Sequence, residues 1–348
     1  MEVRGAGVDR STAIDFLRGA SILTVVWYHY VQIPILNHGF YGVLLFFVIS
    51  GYCIPFSVES SHSGWQFYAK RLGRLMPALI VCGALTTYLK SKFPELMLSD
   101  RQVISWWDYV SFLVSAPTLG IFRVPFQMPD GAYWSLLVEF QFYVVCFAGI
   151  IVGARDRLIW FVCIVALLHT LTTGLAINGS FDFFPFFICG MGIAAIVRRK
   201  VSTGVAAILF AWALDLYHLK FGFVQPSAPI GQGRTEFLWV STLLVAAAAF
   251  CPRNRYIVAV LRPISWIGLI SYPLYLVHQE IGLMIIKWLN VPANAWILRA
   301  VAVPACMALV AWLVYFFVER RLIKPLSAIL SGKFKLDSAA HVEVVAAE

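Results

Sequence analysis

Two ionisable side chains share one face of the first apolar segment of the sequence. Arg18 and His29 are eleven positions apart, a spacing that returns to within about 20° of the same helix face and rises roughly 16 Å. Asp15 lies three residues before Arg18 and can pair with its guanidinium. A neutral imidazole at mid-depth in a membrane is suited to be the general base for a hydroxyl nucleophile. We expect His29 to be catalytic; the alternative is a structural histidine.

A basic cluster follows the second apolar segment, in the sequence KRLGRLMP. Guanidinium groups bind phosphate in a bidentate manner, so Arg71 and Arg74, together with Arg18 at the same level, are candidates for an anion site. The alternative for Lys70, Arg71 and Arg74, and for Arg18, is a purely topogenic role, because positive charge concentrates on the cytoplasmic side of membrane proteins.

An acidic residue lies near the start of the segment YWSLLVEFQFY. Counting about 1.5 Å per residue from the outer surface places Glu139 roughly 7–8 Å deep and His29 about 10 Å deep. At matching depth, the carboxylate of Glu139 could fix the tautomer of His29 and stabilise its imidazolium. The alternative is a protonated, structural Glu139. Trp134, Tyr133 and Tyr143 in this segment are expected to be interfacial anchors.

The segment SYPLYLVHQ brings a second histidine, His278, into the outer half of the membrane. It ranks below His29 as a base because no charged partner is evident, and a supporting or packing role shared with Tyr272 and Tyr275 is the alternative. Ser50 lies in FFVISGY beside Gly51, where small residues allow helices to approach closely.

The composition identifies the elements that must hold these side chains. Of 348 residues, 60% are apolar and 13% are charged, whereas soluble domains average roughly 45–50% and about 25%. So many apolar residues must face lipid, which excludes a soluble globular enzyme. The net charge of +9 comes without a basic tract of the nucleic-acid-binding kind, so nucleic acid is not an expected partner.

The apolar segments predict an all-α, polytopic membrane helix bundle with about ten transmembrane helices. Most basic residues fall on one side of this arrangement, which predicts that both termini are cytoplasmic. The polar connection 91–133 is expected to form interfacial or re-entrant structure near the acceptor side. The predicted spans are 18–36, 39–57, 75–90, 134–153, 157–174, 181–197, 203–219, 236–251, 264–288 and 296–318.

Metal and nucleotide chemistry find no support in the sequence. The seven cysteines form no CxxC pair, and no histidine stands beside them at metal-ligand spacing. No Walker loop or GxGxxG sequence opens a helix after a strand. We expect neither a metal nor a permanently bound cofactor.

The segments together resemble the acyltransferase 3 family of integral membrane O-acyltransferases, which is mainly bacterial. The motifs that carry the resemblance lie in order on successive predicted spans. They are the pair Arg18-x10-His29, in which Arg18 belongs to DFLRG, then FFVISGY, RLGRLMP, WSLLVE with the later FY, and SYPLYLVH. The resemblance covers nearly the whole span region. It implies a membrane domain over residues 1–320, and we expect 321–348 to be a short cytoplasmic tail.

The resemblance implies an acyl-CoA donor on the cytoplasmic side, acetyl-CoA first of all, used as a co-substrate. The implied acceptor is a hydroxyl of an extracytoplasmic or lipid-linked carbohydrate, such as an exopolysaccharide or O-antigen, reached by a multi-pass protein of the cytoplasmic (inner) membrane. Carried over by position, Arg18 and His29 form the functional pair, Arg71 and Arg74 serve the donor, and Glu139 supports the site.

Two departures from the family pattern stand out. Leu44 and Leu45 occupy positions before the double Phe where many members have an acidic residue, and Phe140 replaces a second acid after Glu139. These departures weaken any role for acids there. The hydrolase-like domain of some O-antigen members is not expected in this chain.

Two other function classes fit the same residues. Intramembrane histidine and glutamate also suit a proton-coupled secondary transporter of a small polar solute. A non-catalytic scaffold or sensor would show no dependence on CoA. Broken helices in corresponding positions of two halves would favour the transporter, and no such pairing is evident in the sequence.

Overall fold

The fold is described from a computed structural model, and the description covers residues 12–31, 39–98, 102–118, 126–173, 181–220, 233–252 and 254–332. Within these ranges the chain is helical and contains no strand. The end of the first predicted span (32–36) and most of the predicted tail (333–348) lie outside the described residues. The helices are α1 Thr12–Val31, α2 Phe40–Glu59, α3 Gly64–Lys92, α4 Trp106–Ser115, α5 Trp134–Ile151, α6 Leu158–Thr173, α7 Phe184–Val197, α8 Val201–Lys220, α9 Arg234–Ala249, α10 Arg255–Leu269, α11 Ser271–Val277, α12 Glu280–Trp288, α13 Val303–Val314 and α14 Arg320–Leu330.

Five helical stretches among the described residues are long and apolar enough to cross a membrane. They are Phe40–Glu59, Gly64–Lys92, Gly131–Ile151, Val201–Lys220 and Leu298–Leu330. A sixth results if α10 and α11, bent by 48° at their junction, form one span. Helices of 16 residues such as α6 and α9 extend only about 24 Å, less than the hydrocarbon core of about 30 Å. The protein is therefore a multi-pass membrane protein, and the ten-span count stays a prediction.

The first helices pack closely because small residues line their contacts. α1 lies between α2 and α10, and α2 packs on α7. A Cβ atom at Gly51 of α2 would lie 2.1 Å from the carbonyl oxygen of Phe187, and one at Gly190 of α7 would lie 2.0 Å from that of Val48. Backbone therefore touches backbone across this pair, which confirms the close approach expected at Gly51.

The connection between α3 and α5 contains the short helix α4. A capping box of Ser105 and Asp108 starts α4. Tyr109 of α4 donates a hydrogen bond to the carbonyl of Ile80, and a Cβ at Gly83 would lie 2.7 Å from the Tyr109 ring. Because Ile80 and Gly83 are in the middle of α3, α4 packs alongside that helix, and the interfacial or re-entrant structure expected for 91–133 stays a prediction.

The predicted span 264–288 is not one helix. It begins inside α10, and α11 ends at Val277 and α12 begins at Glu280, so His278 and Gln279 lie at a break.

At the other end of the chain, helix continues beyond residue 320. In α14, Ser327 packs on Gly73 of α3, and Trp65 donates a hydrogen bond of 2.7 Å to the Leu330 carbonyl. The first ten residues of the predicted tail, 321–330, are therefore helical and pack on α3.

Candidate functional site

A partly open cavity lies between α1, α2, α3, α5 and α11. Six of the predicted site residues line it: Arg18, Ser50, Arg71, Arg74, Glu139 and Tyr272. The structure thus brings side chains from five helices to one partly open cavity.

Three guanidinium groups give one end of the cavity a positive charge. Arg18 makes an ion pair with Asp15 at 3.1 Å, the contact expected from their spacing, and its other terminal nitrogen lies 3.4 Å from the Cys53 sulfur. Arg71 donates a hydrogen bond of 2.6 Å to the Ser57 hydroxyl. Arg74 is the third cavity-lining guanidinium. Such a cluster is suited to bind phosphate groups.

Lys70, considered with these arginines in the sequence, points elsewhere. Its ammonium group is exposed and donates hydrogen bonds to the backbone carbonyl and hydroxyl of Ser60. Lys70 does not line the cavity, so it is not part of the anion site formed by the three arginines.

Glu139 projects into the cavity from α5, and its carboxylate accepts two hydrogen bonds there. One comes from the Ser50 hydroxyl at 2.8 Å and the other from the Tyr143 hydroxyl, one helical turn further along α5. The Arg71 guanidinium lies 5.9 Å from the centre of the Tyr143 ring. Glu139 therefore belongs to a polar group that continues directly from the arginine end.

His29 lies beside His278. The two ring centres are 5.1 Å apart with the planes inclined by 55°. The Tyr275 ring is 5.3 Å from the His278 ring, and its hydroxyl bonds to Ser135 at 2.7 Å. Because Tyr275 and Ser135 line the cavity, the two histidines lie just beyond the end opposite the arginines.

The packing of α1 on α2 indicates that Glu139 and His29 lie at different levels, in contrast to the matching depth expected from the sequence. Gly39, at the start of α2, packs directly on Tyr28, the neighbour of His29. Ser50, the partner of Glu139, is eleven residues further along α2, which is about 16 Å of helix rise. Counting residues from the predicted surface failed because it assumes that helices start at one common level. Glu139 is therefore deeper than His29 and has its own partners.

Three tyrosines have surroundings that differ from the expectation. Tyr133 and Tyr143 were expected at the interface, but both are buried, and Tyr143 bonds to Glu139. Tyr275 was considered as a packing partner of His278, and its hydroxyl contacts Ser135 inside the cavity. For Tyr143, the spacing of four residues from Glu139 was the available signal, because it puts both side chains on one helix face.

Tyr272, which lines the cavity, also connects α11 to α3. Its hydroxyl donates a hydrogen bond of 2.9 Å to the Leu75 carbonyl, and it lines the cavity between these helices.

Leu44, Leu45 and Phe140, the positions that depart from the family pattern, are all buried in the apolar core. Acidic side chains there would be costly, which agrees with their absence.

Among the residues that the structure describes, no group of three or more His, Cys, Asp or Glu side chains is arranged to hold a metal ion.

Comparison with known proteins gives one family and several relatives. The chain is 26% identical over 350 residues to the O-acetyltransferase OatA of Staphylococcus aureus (strain NCTC 8325 / PS 47), covering 88% of this chain and 56% of that protein. It is also 26% identical over 353 residues to the peptidoglycan O-acetyltransferase OatA of Listeria monocytogenes, covering 88% of this chain and 55% of that protein.

A third relative is named as a membrane-bound transacylase, BcsY, of Komagataeibacter xylinus. It is 28% identical over 330 residues, covering 90% of this chain and 83% of that protein. The chain spans about half the length of the OatA relatives. No solved structure matches it. Residues 11–316, most of the chain, match the acyltransferase domain of the acyltransferase 3 family, and the chain therefore belongs to that family.

Proposed function

We propose that this protein is a membrane-embedded O-acyltransferase that moves an acetyl group from cytoplasmic acetyl-CoA to a hydroxyl of an extracytoplasmic or lipid-linked carbohydrate. The observation that carries the proposal is a polar cavity with three arginines at one end and two histidines beyond the other. Family membership supports acyl transfer, and the names of the OatA relatives support acetyl as the group and a cell-envelope glycan as the acceptor.

The arginine end suits the phosphate-bearing part of the donor. In this proposal Arg18, Arg71 and Arg74 bind the phosphates of CoA, each guanidinium offering two parallel hydrogen bonds. The extended pantetheine arm then passes Ser50 and Glu139 toward Tyr275. Arg18 and His29 are separated by about 16 Å along α1, so only a long, thin donor can reach both.

The histidine end suits the acceptor. In this proposal His29 removes the proton from a sugar hydroxyl as the hydroxyl oxygen attacks the carbonyl carbon of the acetyl-CoA thioester. The C–S bond then breaks, and the proton on His29 passes to the departing thiolate, so that free CoA returns to the cytoplasm. The ester is left on the glycan. A route through an acylated residue would give the same products.

The proposal also sets an orientation in the cytoplasmic membrane. With ten spans and both termini cytoplasmic, the arginine end faces the cytoplasm and the histidines lie in the outer half of the bilayer. Acetyl-CoA is then a co-substrate, and no metal takes part in the transfer. Asp15 holds Arg18 through the ion pair described above, and Tyr272 supports the cavity wall.

The test uses purified protein in detergent with acetyl-CoA labelled in the acetyl group and a saccharide acceptor. Transferase activity predicts release of free CoA together with label on the saccharide. A parallel assay measures proton-coupled solute flux in liposomes, since a secondary transporter would move solute without consuming acetyl-CoA. Flux without CoA release would contradict the proposal, as would the absence of both, which is the behaviour of a scaffold.

A further inference from the structure

His278 is held in a fixed position at the break between α11 and α12. Its backbone carbonyl accepts a hydrogen bond from the Tyr30 hydroxyl of α1. Two residues later, the backbone N–H of Glu280 donates to the Asp130 carboxylate at 3.0 Å, which caps the start of α12. The side chain of His278 is fully buried. The helix break therefore presents this imidazole in a defined place.

The hydrogen bonds of His278 also define which nitrogen carries its proton. Nδ1 lies 2.7 Å from the carbonyl oxygen of Tyr275. A carbonyl oxygen can only accept, so Nδ1 carries the hydrogen and Nε2 of the neutral ring is a bare acceptor. Within the described part of the chain, Nε2 is buried and makes no hydrogen bond. An unsatisfied buried acceptor is costly, of order 1–3 kcal/mol, and is expected to have a use.

The His29 ring, which is only partly buried, lies beside the fully buried ring of His278. We propose that His278 is a positioning residue, whose Nε2 accepts a hydrogen bond from the imidazolium of His29 that forms during acyl transfer. The inference rests on the proposed function. It gives His278 the orienting role that the sequence assigned to Glu139, which lies deeper in the cavity.

The proton balance of the step is simple. When His29 takes the hydroxyl proton, both of its ring nitrogens carry hydrogen. One hydrogen is the proton in transit to the thiolate, and the other is donated to Nε2 of His278. His278 gains and loses no proton, so it stabilises the imidazolium without bringing a second charge into the bilayer.

Other titratable and charged groups surround the pair. Tyr28 packs against His29 on the same helix, at 4.9 Å between ring centres. Arg299, from the last span, bonds to the Tyr30 carbonyl at 3.3 Å. Asp130 and Glu280 lie near the start of α12, and Glu280 forms a 3.9 Å ion pair with Lys90 of α3. These groups stay constant when only the side chain of His278 is replaced.

The experiment compares His278→Phe and His278→Leu, which remove the acceptor, with His278→Gln, whose amide oxygen can replace it. The first readout is the pH dependence of His29 carbethoxylation by diethyl pyrocarbonate, measured by mass spectrometry on the purified full-length protein. Only a neutral imidazole reacts, so the midpoint reports how strongly the imidazolium is stabilised. The second readout is the pH profile of acyl transfer.

We expect the Phe and Leu variants to lower the carbethoxylation midpoint by about one pH unit and to reduce kcat about 10- to 100-fold, with little change in the donor KM. His278→Gln should restore most of the midpoint. His218→Phe, a change at another buried histidine, serves as the matched control and should not move it. Thermal unfolding shows which variants are folded.

Equal midpoints in wild type and both acceptor-free variants would overturn the inference. A midpoint shift that His278→Gln does not reverse would also overturn it, because the effect would then come from packing alone. If wild-type protein releases no CoA, the proposed function fails instead, and the carbethoxylation midpoints still decide whether His278 stabilises the His29 imidazolium.

Discussion

Replacement of His29 by alanine should abolish acyl transfer. General-base catalysis contributes typically 10²–10⁴-fold, and no other base lies at this end of the described cavity except His278, whose ring is fully buried beside that of His29. Because His29 is only partly buried, His29→Ala should still insert and unfold near the wild-type temperature. The measurement is CoA release at saturating donor. Wild-type turnover in this variant would show that His29 is not the general base of acyl transfer.

The arginines should act on donor binding more than on turnover. We expect Arg71→Ala and Arg74→Ala to raise the KM for acetyl-CoA with a smaller effect on kcat, because phosphate contacts far from the reacting bond contribute mainly to ground-state binding. Arg18→Lys should also impair binding, since an ammonium cannot form the bidentate contact. Arg157→Ala is the matched control, being an exposed arginine outside the cavity. If the variants have the same dependence on acetyl-CoA concentration as wild type, these arginines do not bind the donor, and their role is to set the membrane topology.

Much of the site composition could be predicted from residue types, but its internal arrangement could not. Arg18, Ser50 and Glu139, polar residues within apolar segments, line one cavity with Arg71 and Arg74 from the basic cluster after the second segment. The partner of Glu139 was mistaken because depth along a helix was counted from loop ends. The role of Tyr143 was mistaken because tyrosine is common at membrane interfaces, whereas position 143 lies in the middle of the predicted span 134–153 and is buried by the packed helices.

The break between α11 and α12 is an element that the sequence did not predict. The apolar run 264–288 is long enough for one span, and positions 278 and 279 carry neither proline nor glycine. The break depends on a residue far away in sequence. Asp130 accepts hydrogen bonds from the backbone N–H groups of Ala132 at 2.8 Å and Glu280 at 3.0 Å.

Asp130 should make the stability of this junction depend on pH. Burial, and then the nearby Glu280 carboxylate, raise the pKa of Asp130 to about 7, while its backbone hydrogen bonds and Lys90 act in the opposite direction. A raised pKa in the folded state means that the stabilisation is fully present below the unfolded value of about 4 and is lost as the pH rises through about 7.

We therefore expect the unfolding temperature of wild type to fall between pH 5 and pH 7 more steeply than that of Asp130→Asn, and the two curves to become parallel above pH 7. The measurement is thermal unfolding in detergent across this range. The comparison concerns the slope, because Asn supplies only one acceptor oxygen and lowers stability at every pH. Parallel curves for the two proteins below pH 7 as well would show that Asp130 does not titrate here.

The contact between α2 and α7 should not tolerate a larger side chain. At Gly51 a Cβ would lie 2.1 Å from a backbone oxygen of Phe187, so Gly51→Val must separate the two helices. Destabilisation of several kcal/mol is expected, at or above the 1–3 kcal/mol typical of overpacking. At Gly64 the neighbours of a Cβ are side-chain atoms of Ile151 and Phe147 at 3.2–3.3 Å, which can move. Gly64→Ala should therefore change the unfolding temperature little. A stable Gly51→Val protein would contradict the close packing.

The architecture of the whole chain could be predicted in kind from composition, because 60% apolar residues leave no alternative to lipid. The number of spans is harder to derive. Each predicted span overlaps a helix, but α6, α7 and α9 have 14 to 16 residues, and α1 carries Asp15 and Arg18. Short helices cross a bilayer only where it is locally thin or where flanking residues extend them, which a residue count does not show.

Reporter fusions test the ten-span prediction directly. If α4 is re-entrant and both termini are cytoplasmic, fusions after Glu95 and Asn290 lie outside, whereas those after Asp156 and Arg199 lie inside. Alkaline phosphatase should then be active only at the first two positions, and green fluorescent protein should fluoresce only at the last two. The distribution of basic residues gives the reason. Phosphatase activity at Asp156 would show that α4 crosses the membrane completely or that the orientation is reversed.

The most direct measurement uses inside-out vesicles that contain the protein and enclose a glycan acceptor, with labelled acetyl-CoA added only to the exposed cytoplasmic face. Our account predicts label on the enclosed glycan and an equal amount of free CoA outside, both lost in vesicles that carry His29→Ala. Label on the glycan at the wild-type rate with His29→Ala, or glycan that stays unlabelled while wild-type protein is folded and supplied with acetyl-CoA, would contradict it.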